Sequence, residues 1–196
     1  MNNINIESMD TKNKIIYSTI EIIAHHGIHN ATAGNISKSG NFNKSIIFYH
    51  FENINDLLLK SLIKSIDELS PILKNNYCEY DSIDEYLNVS IINLINHPDK
   101  VIYLKVIMSF AHQTMYLKDF LKDLRTVVFD DLYNVLIEAI KYYKIKEISN
   151  HEVDTLASLI MATFNGLGVV LLIDGSNDKF IENWKQLSSL INNYIK

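Results

Sequence analysis

Asn43, Lys44, Ser45 and Ile46 stand together at the head of a short segment that ends in Phe48-Tyr49-His50-Phe51. Their side chains suit a nucleic-acid surface. Asn43 and Ser45 can both donate and accept hydrogen bonds, as base edges and phosphates require. Lys44 is a mobile cation for phosphate or for guanine acceptors. Tyr49 can offer a hydroxyl to phosphate and His50 a ring N–H, while Ile46 could either meet a thymine methyl or be buried. Ile47, Phe48 and Phe51 are expected to pack inward. Upstream, Thr32 and Lys38 are suited to clamp a sugar-phosphate backbone.

Other chemistries find less support. Glu21, His25 and His26 are close in sequence, but adjacent helical residues point roughly 100° apart, a poor arrangement for a shared metal ion. Pairing His25 with His29 would need a helix through Gly27. Neither a Gly-rich phosphate loop nor a nucleophile motif is present. Acid pairs such as Asp84-Glu85 and Asp130-Asp131 read as solvated helix faces. The expectation is a protein that is not an enzyme, with no catalytic residue, metal or cofactor.

The elements that must position the first group are short. A helix over about Ala33 to Ser39 has Thr32 as hydroxyl N-cap, and a second begins after Asn43, whose side chain can cap Ser45 or Ile46. Gly40-Asn41 between them tolerates a left-handed backbone. Two short helices joined so tightly have helix-turn-helix geometry, in which the second helix can enter a major groove. A preceding helix, Lys12 to Gly27, carries Ile15, Ile16, Thr19, Ile22 and Ile23 on one face, with Gly27 as C-cap.

This ordered run resembles the DNA-binding domain of the TetR family of bacterial transcriptional repressors. The likeness rests on TKNKIIYSTIEIIAHHG, Thr32 and Ile36, Asn43-Lys44-Ser45, Phe48-Tyr49-His50-Phe51 and Asp56-Leu57-Leu58. It covers about a quarter of the chain, and the rest agrees in length and helical character. Four positions depart from the family pattern: Asn41 for a Gly, Gly34 for a charged residue, Phe48 for a Tyr and Glu52 for a Lys. The last two remove a hydroxyl contact and add repulsion at phosphate.

The resemblance carries further expectations. It implies a mostly apolar effector cavity in the later helices, for which Tyr86, Tyr103, Met108, His112, Met115, Tyr116, Phe129, Tyr133, Phe164 and Asn165 are candidates. Met and aromatic residues also fill ordinary cores. His112 and Asn165 are sharper, because polar groups on apolar faces need partners. The resemblance also implies a homodimer formed by the eighth and ninth helices. Leu159, Ala162, Thr163, Gly166, Val170, Trp184, Leu187 and Ile191 are its candidate interface, and packing within one subunit is the alternative.

Composition agrees with one helical chain. The 196 residues are 47% hydrophobic and 21% charged, and only 2 Pro and 6 Gly interrupt helices. One cysteine, Cys78, excludes an intramolecular disulfide. The N-terminus does not read as a signal peptide, and the longest apolar run, Gly166 to Ile173, is short for a membrane span. These point to the cytoplasm. Net charge is −5, yet residues 1–64 hold 6 Lys against 5 acidic side chains and 4 of the 7 His. The single Arg, Arg125, falls outside this region, so a bidentate Arg–guanine contact is unavailable to it. An A·T-rich site read through phosphate and shape is expected.

The expected architecture is all-α, with about nine helices and no repeat. Residues 10–52 form the three-helix helix-turn-helix domain, and residues 53–196 the helical bundle for ligand binding and dimerisation. The fourth helix is expected over Asn53 to about Tyr77, kinked or ended early by Pro71, and the fifth over about Ser82 to His97. The sixth should run from Pro98 to about Gln113, the seventh from about Leu117 to Lys144, the eighth from about Asn150 to Asp174, and the last from Asp178 to Ile195. The functional reading is a regulator, usually a repressor in such a family, that is released from double-stranded DNA with an inverted repeat by a small molecule. A helical ligand- or protein-binding module with a weakened helix-turn-helix is the alternative.

Overall fold

A computed structural model describes residues 10–73, 76–111 and 130–196. Nine α-helices occur among these residues, in the order α1 (Thr11–His26), α2 (Ala33–Gly40), α3 (Lys44–His50), α4 (Ile54–Leu73), α5 (Ile83–Ile95), α6 (Pro98–Ala111), α7 (Asp131–Tyr143), α8 (Asn150–Asp174) and α9 (Asn177–Ile195). Short 3₁₀ turns lie at Ile28–Asn30 and Tyr77–Glu79. The described residues contain no strand, and the all-α expectation holds.

Helix boundaries obey local chemistry. Asp10 caps α1 by accepting from the Asn13 amide, and Gly27 ends it at φ 81°. Ser82, Ser149 and Ser176 each accept an amide hydrogen bond at the start of α5, α8 and α9. At α8 the cap is reciprocal, because Glu152 Oε2 accepts from the Ser149 amide at 2.7 Å. Gly175, at φ 65°, closes the same helix. α4 is described as far as Leu73, and Tyr77, the expected end of the fourth helix, opens a 3₁₀ turn. Pro71 lies within α4, where its missing N–H removes a helical hydrogen bond. The expected start of the seventh helix, with Phe120, Leu121, Leu124, Val127 and Val128, lies outside the described residues.

Two compact units result. One comprises the chain to Leu69 together with the stretch from His97 that forms α6, and the other the chain from Ser70 to Asn96 with α7, α8 and α9. In the first, α1 packs on α2 and α6, and Ile15, Ile20, Ile23, Ile36, Ile47, Phe51 and Leu57 are fully or almost fully buried. Glu68 ties α1, α4 and α6 together: it accepts from the Tyr17 hydroxyl at 3.2 Å and pairs with Lys64 at 2.9 Å and Lys100 at 3.2 Å. In the second unit α9 packs on α5 and α8, and α8 on α7. Its core includes Ile83, Tyr86, Leu94, Leu136, Ile140, Ile160 and Phe180.

Candidate nucleic-acid interface and apolar cavity

The geometry of α3 is set by the turn before it. Asn41 takes a left-handed conformation, φ 53° and ψ 51°, and its amide closes α2 on the Ser37 carbonyl. Gly40 leaves space for the chain to double back, since a Cβ there would fall 1.9 Å from the Phe42 ring and 2.7 Å from Ser18 Oγ. Asn43 then caps α3 on the Ser45 amide. Ile47 and Phe51, one turn apart, anchor the helix at 0% and 2% exposure. Asn43, Lys44, Ser45, Phe48 and Tyr49 are left exposed, with Ile46 and His50 half-buried.

Phe48 corrects the expectation of an inward ring, since it is 54% exposed. Residues 47 and 51 already occupy the buried side, and residue 48 lies about 100° around the helix from 47. A Cβ at Gly34 would stand 3.4 Å from Lys44 Nζ and 3.9 Å from Thr32 Oγ1, so the lysine lies across the first turn of α2. Thr32 caps that turn on the Asn35 amide. A hydroxyl, a cation and a helix N-terminus thus converge, an arrangement that favours phosphate. Lys38 instead lines an open hollow with Ile22, His26, Asn30, Asn35 and Ser39. His25 pairs with Glu21 at 3.3 Å.

The second unit encloses an apolar cavity among α5, α7, α8 and α9. Tyr86, Leu87, Ser90, Ile91, Leu132, Leu136, Ile160, Met161, Phe164 and Trp184 line it. About 30 Å³ is open to a water-sized sphere, room for a water or two. Its polar groups are largely committed: Ser90 donates to the Tyr86 carbonyl at 2.9 Å and Trp184 Nε1 to the Leu87 carbonyl at 3.0 Å. Burial pushes the Tyr86 phenol up to about 12, so it stays neutral. Among the described residues, no lining side chain is charged.

Of the expected effector residues, Tyr86 and Phe164 stand in this wall. Tyr133 instead turns its hydroxyl to Asp154 Oδ1, at 2.7 Å, and Ser158. Asn165 is half-buried and absent from the lining. Tyr103 and Met108 are buried in the first unit. His112, Met115, Tyr116 and Phe129 lie outside the described residues. The remaining wall residues are plain apolar stripes, which single out no position until several helices are brought together.

Among the expected interface residues, Leu159, Ala162 and Gly166 are exposed, and Thr163, Val170 and Leu187 half-buried. Trp184 and Ile191 face inward, at 3% and 4% exposure. The Trp184 indole meets Phe164 edge-on at 5.9 Å and finds its acceptor on α5, which an outward ring would lack.

A short helix held by a positive-φ turn, with its outer face polar and aromatic, defines a helix-turn-helix protein. Comparison with solved structures shows the fold to be that of the TetR-family transcriptional regulators. A TetR-family regulator from a Rhodococcus species superposes with TM-score 0.75 at 16% identity, covering 94% of this chain and 97% of that one. A transcriptional regulator from Saccharomonospora viridis, solved in complex with choline, gives 0.73 at 20% identity, covering 94% of both chains. In sequence, the chain is 26% identical over 196 residues to IcaR of Staphylococcus epidermidis, the negative transcriptional regulator of the biofilm operon icaADBC, covering 94% of this chain and 99% of IcaR. No family model matches the chain.

Proposed function

We propose that this protein is a TetR-type transcriptional regulator that binds double-stranded DNA sequence-specifically and acts as a repressor. The observation that carries this reading is the outer face of α3, where Lys44, Ser45, Phe48 and Tyr49 are exposed while Ile47 and Phe51 hold the helix in place. Thr32, Gly34 and Lys44 form the adjoining phosphate clamp. Asn43 and Ser45 supply directional contacts to base edges or phosphate, and Tyr49 a hydroxyl to the backbone. The name of IcaR as a negative regulator supports repression.

The protein works as a homodimer in the cytoplasm, with two α3 helices in successive major grooves of an inverted repeat, about 34–36 Å apart. Its effector enters the cavity lined by Tyr86, Phe164 and Trp184. The described part of the wall is uncharged and favours an apolar, uncharged molecule, unlike the choline held by the Saccharomonospora protein. Since the space suits only a water or two, the effector must part the walls, and that opening favours a dimer geometry that no longer fits the operator. Moving the equilibrium from mostly bound to mostly free requires about 5.5 kcal/mol of differential affinity.

Selection of bound sequences from a random duplex pool by the purified protein tests this reading. An enriched inverted repeat is expected. A folded dimer that enriches nothing would overturn DNA binding and favour a helical ligand-binding module.

A further inference from the structure

α3 carries one apolar ring that the fold does not bury. Phe48 is 54% exposed, whereas its neighbour Ile47 is fully buried and Phe51 is 2% exposed. Ring contacts among the described residues run from Tyr49 to His50 and from His50 to Phe51, and do not take in Phe48. Residue 48 lies one turn beyond Lys44 and Ser45, so the ring shares their outward face. A phenyl group on this face has no hydrogen bond to give. Its only gain is the removal of apolar surface from water.

The floor of a major groove presents one aliphatic group, the C5-methyl of thymine. Resting on the DNA-binding reading above, we infer that Phe48 is a specificity-determining residue that reads thymine methyl groups in the operator. The unit that holds α3 has Lys but no Arg among its described residues, so guanine lacks its commonest reader there. Apolar contact then carries a larger share of discrimination, set beside Lys44 at the phosphates. Ile46, half-buried on the same helix, is the competing candidate for this contact.

The test uses the duplex recovered by selection, with each thymine replaced in turn by uracil. This removes one methyl and leaves base pairing intact. Binding is followed by fluorescence anisotropy for the wild type, Phe48→Ala and Ile46→Ala. The wild type should lose about three- to fivefold in affinity at one or two thymines per half-site, as expected for one buried methyl. Phe48→Ala should bind more weakly and treat those thymine and uracil duplexes alike, whereas Ile46→Ala should still distinguish them. Because the ring is half in solvent, circular dichroism of Phe48→Ala should match the wild type. Equal wild-type affinity for thymine and uracil duplexes overturns this inference and leaves DNA binding standing. Discrimination that survives in Phe48→Ala overturns it too. A protein that binds no duplex removes the DNA reading and the inference together.

Discussion

At the scale of single residues, Gly40 shows how a local packing choice fixes the presentation of α3. Its role is steric rather than conformational, because Asn41 and not Gly40 takes the positive φ. Phe42 folds its ring over the Gly40 Cα, in the space a Cβ would need. Gly40→Ala should therefore destabilise the protein by about 1–3 kcal/mol, as overpacking usually does. Adding Phe42→Val removes the ring but leaves Ser18 Oγ 2.7 Å from the new methyl, so the double variant should recover part of the loss in thermal melts. Additive losses in a double-mutant cycle would show that the ring is not the obstacle. Lys44 answers to a different measurement. Lys44→Ala removes one phosphate partner per protomer, so the slope of log affinity against log salt should fall by about one per half-site, with sequence preference kept. A change of preferred sequence would instead place Lys44 on a base. The sequence revealed Lys44 by its type and position. It could not reveal that the lysine lies across the first turn of α2, beside Gly34 and Thr32.

At the scale of elements, helix existence and most helix ends were legible because they depend on near neighbours. Thr32 and Asn43 cap as their types suggest, and Gly27 terminates α1. What was not legible depends on which stripe meets which. Trp184 has the character of an interface residue in its own helix and becomes a core residue only because α5 offers the Leu87 carbonyl. The cavity is of the same kind, since its walls come from four helices distant in sequence.

The start of α8 shows capping extended into tertiary structure. Glu152 accepts from the Ser149 amide and from the Tyr194 hydroxyl at 2.7 Å, which joins the first turn of α8 to the last turn of α9. The Ser149 amide first, then the Tyr194 and Ser149 hydroxyls, hold the Glu152 carboxyl down to about 2, from an ordinary 4.5. A depressed carboxyl contributes stability that is complete above its unfolded value and lost as pH falls to its folded one. Glu152→Gln keeps a capping side chain but cannot titrate. The stability difference between wild type and variant should hold steady at neutral pH and shrink between about pH 4.5 and 2. Parallel denaturation midpoints across that range would disprove the linkage.

At the scale of the whole molecule, α8 leaves apolar surface that its own subunit does not cover. Its most apolar 18-residue window has mean hydropathy 2.2, yet only 39% of that window is buried. Val153, Leu156, Ala157, Ile160, Phe164 and Leu171 take up the inner side. The outer side presents Leu159, Ala162, Gly166 and Ile173 as one stripe, with Leu159 50% and Ile173 76% exposed, and α9 adds Leu190 at 66%. By length and composition such a helix could cross a membrane, but its inner side is committed to α7 and α9. A second copy of the same stripe would cover it with like chemistry, and the small residues at its centre would let two helices approach closely. Isologous pairing of this kind supplies the two-fold symmetry that an inverted repeat demands. Ala162→Glu places a charge at the centre of the stripe without touching the core of the subunit. Wild-type protein should sediment as a detergent-free dimer, and Ala162→Glu as a monomer of unchanged helical content. Affinity for the inverted repeat should fall by about a hundredfold or more, because the second half-site loses its effective concentration. A dimer that survives Ala162→Glu would move the interface elsewhere, and wild-type protein soluble only in detergent would favour the membrane.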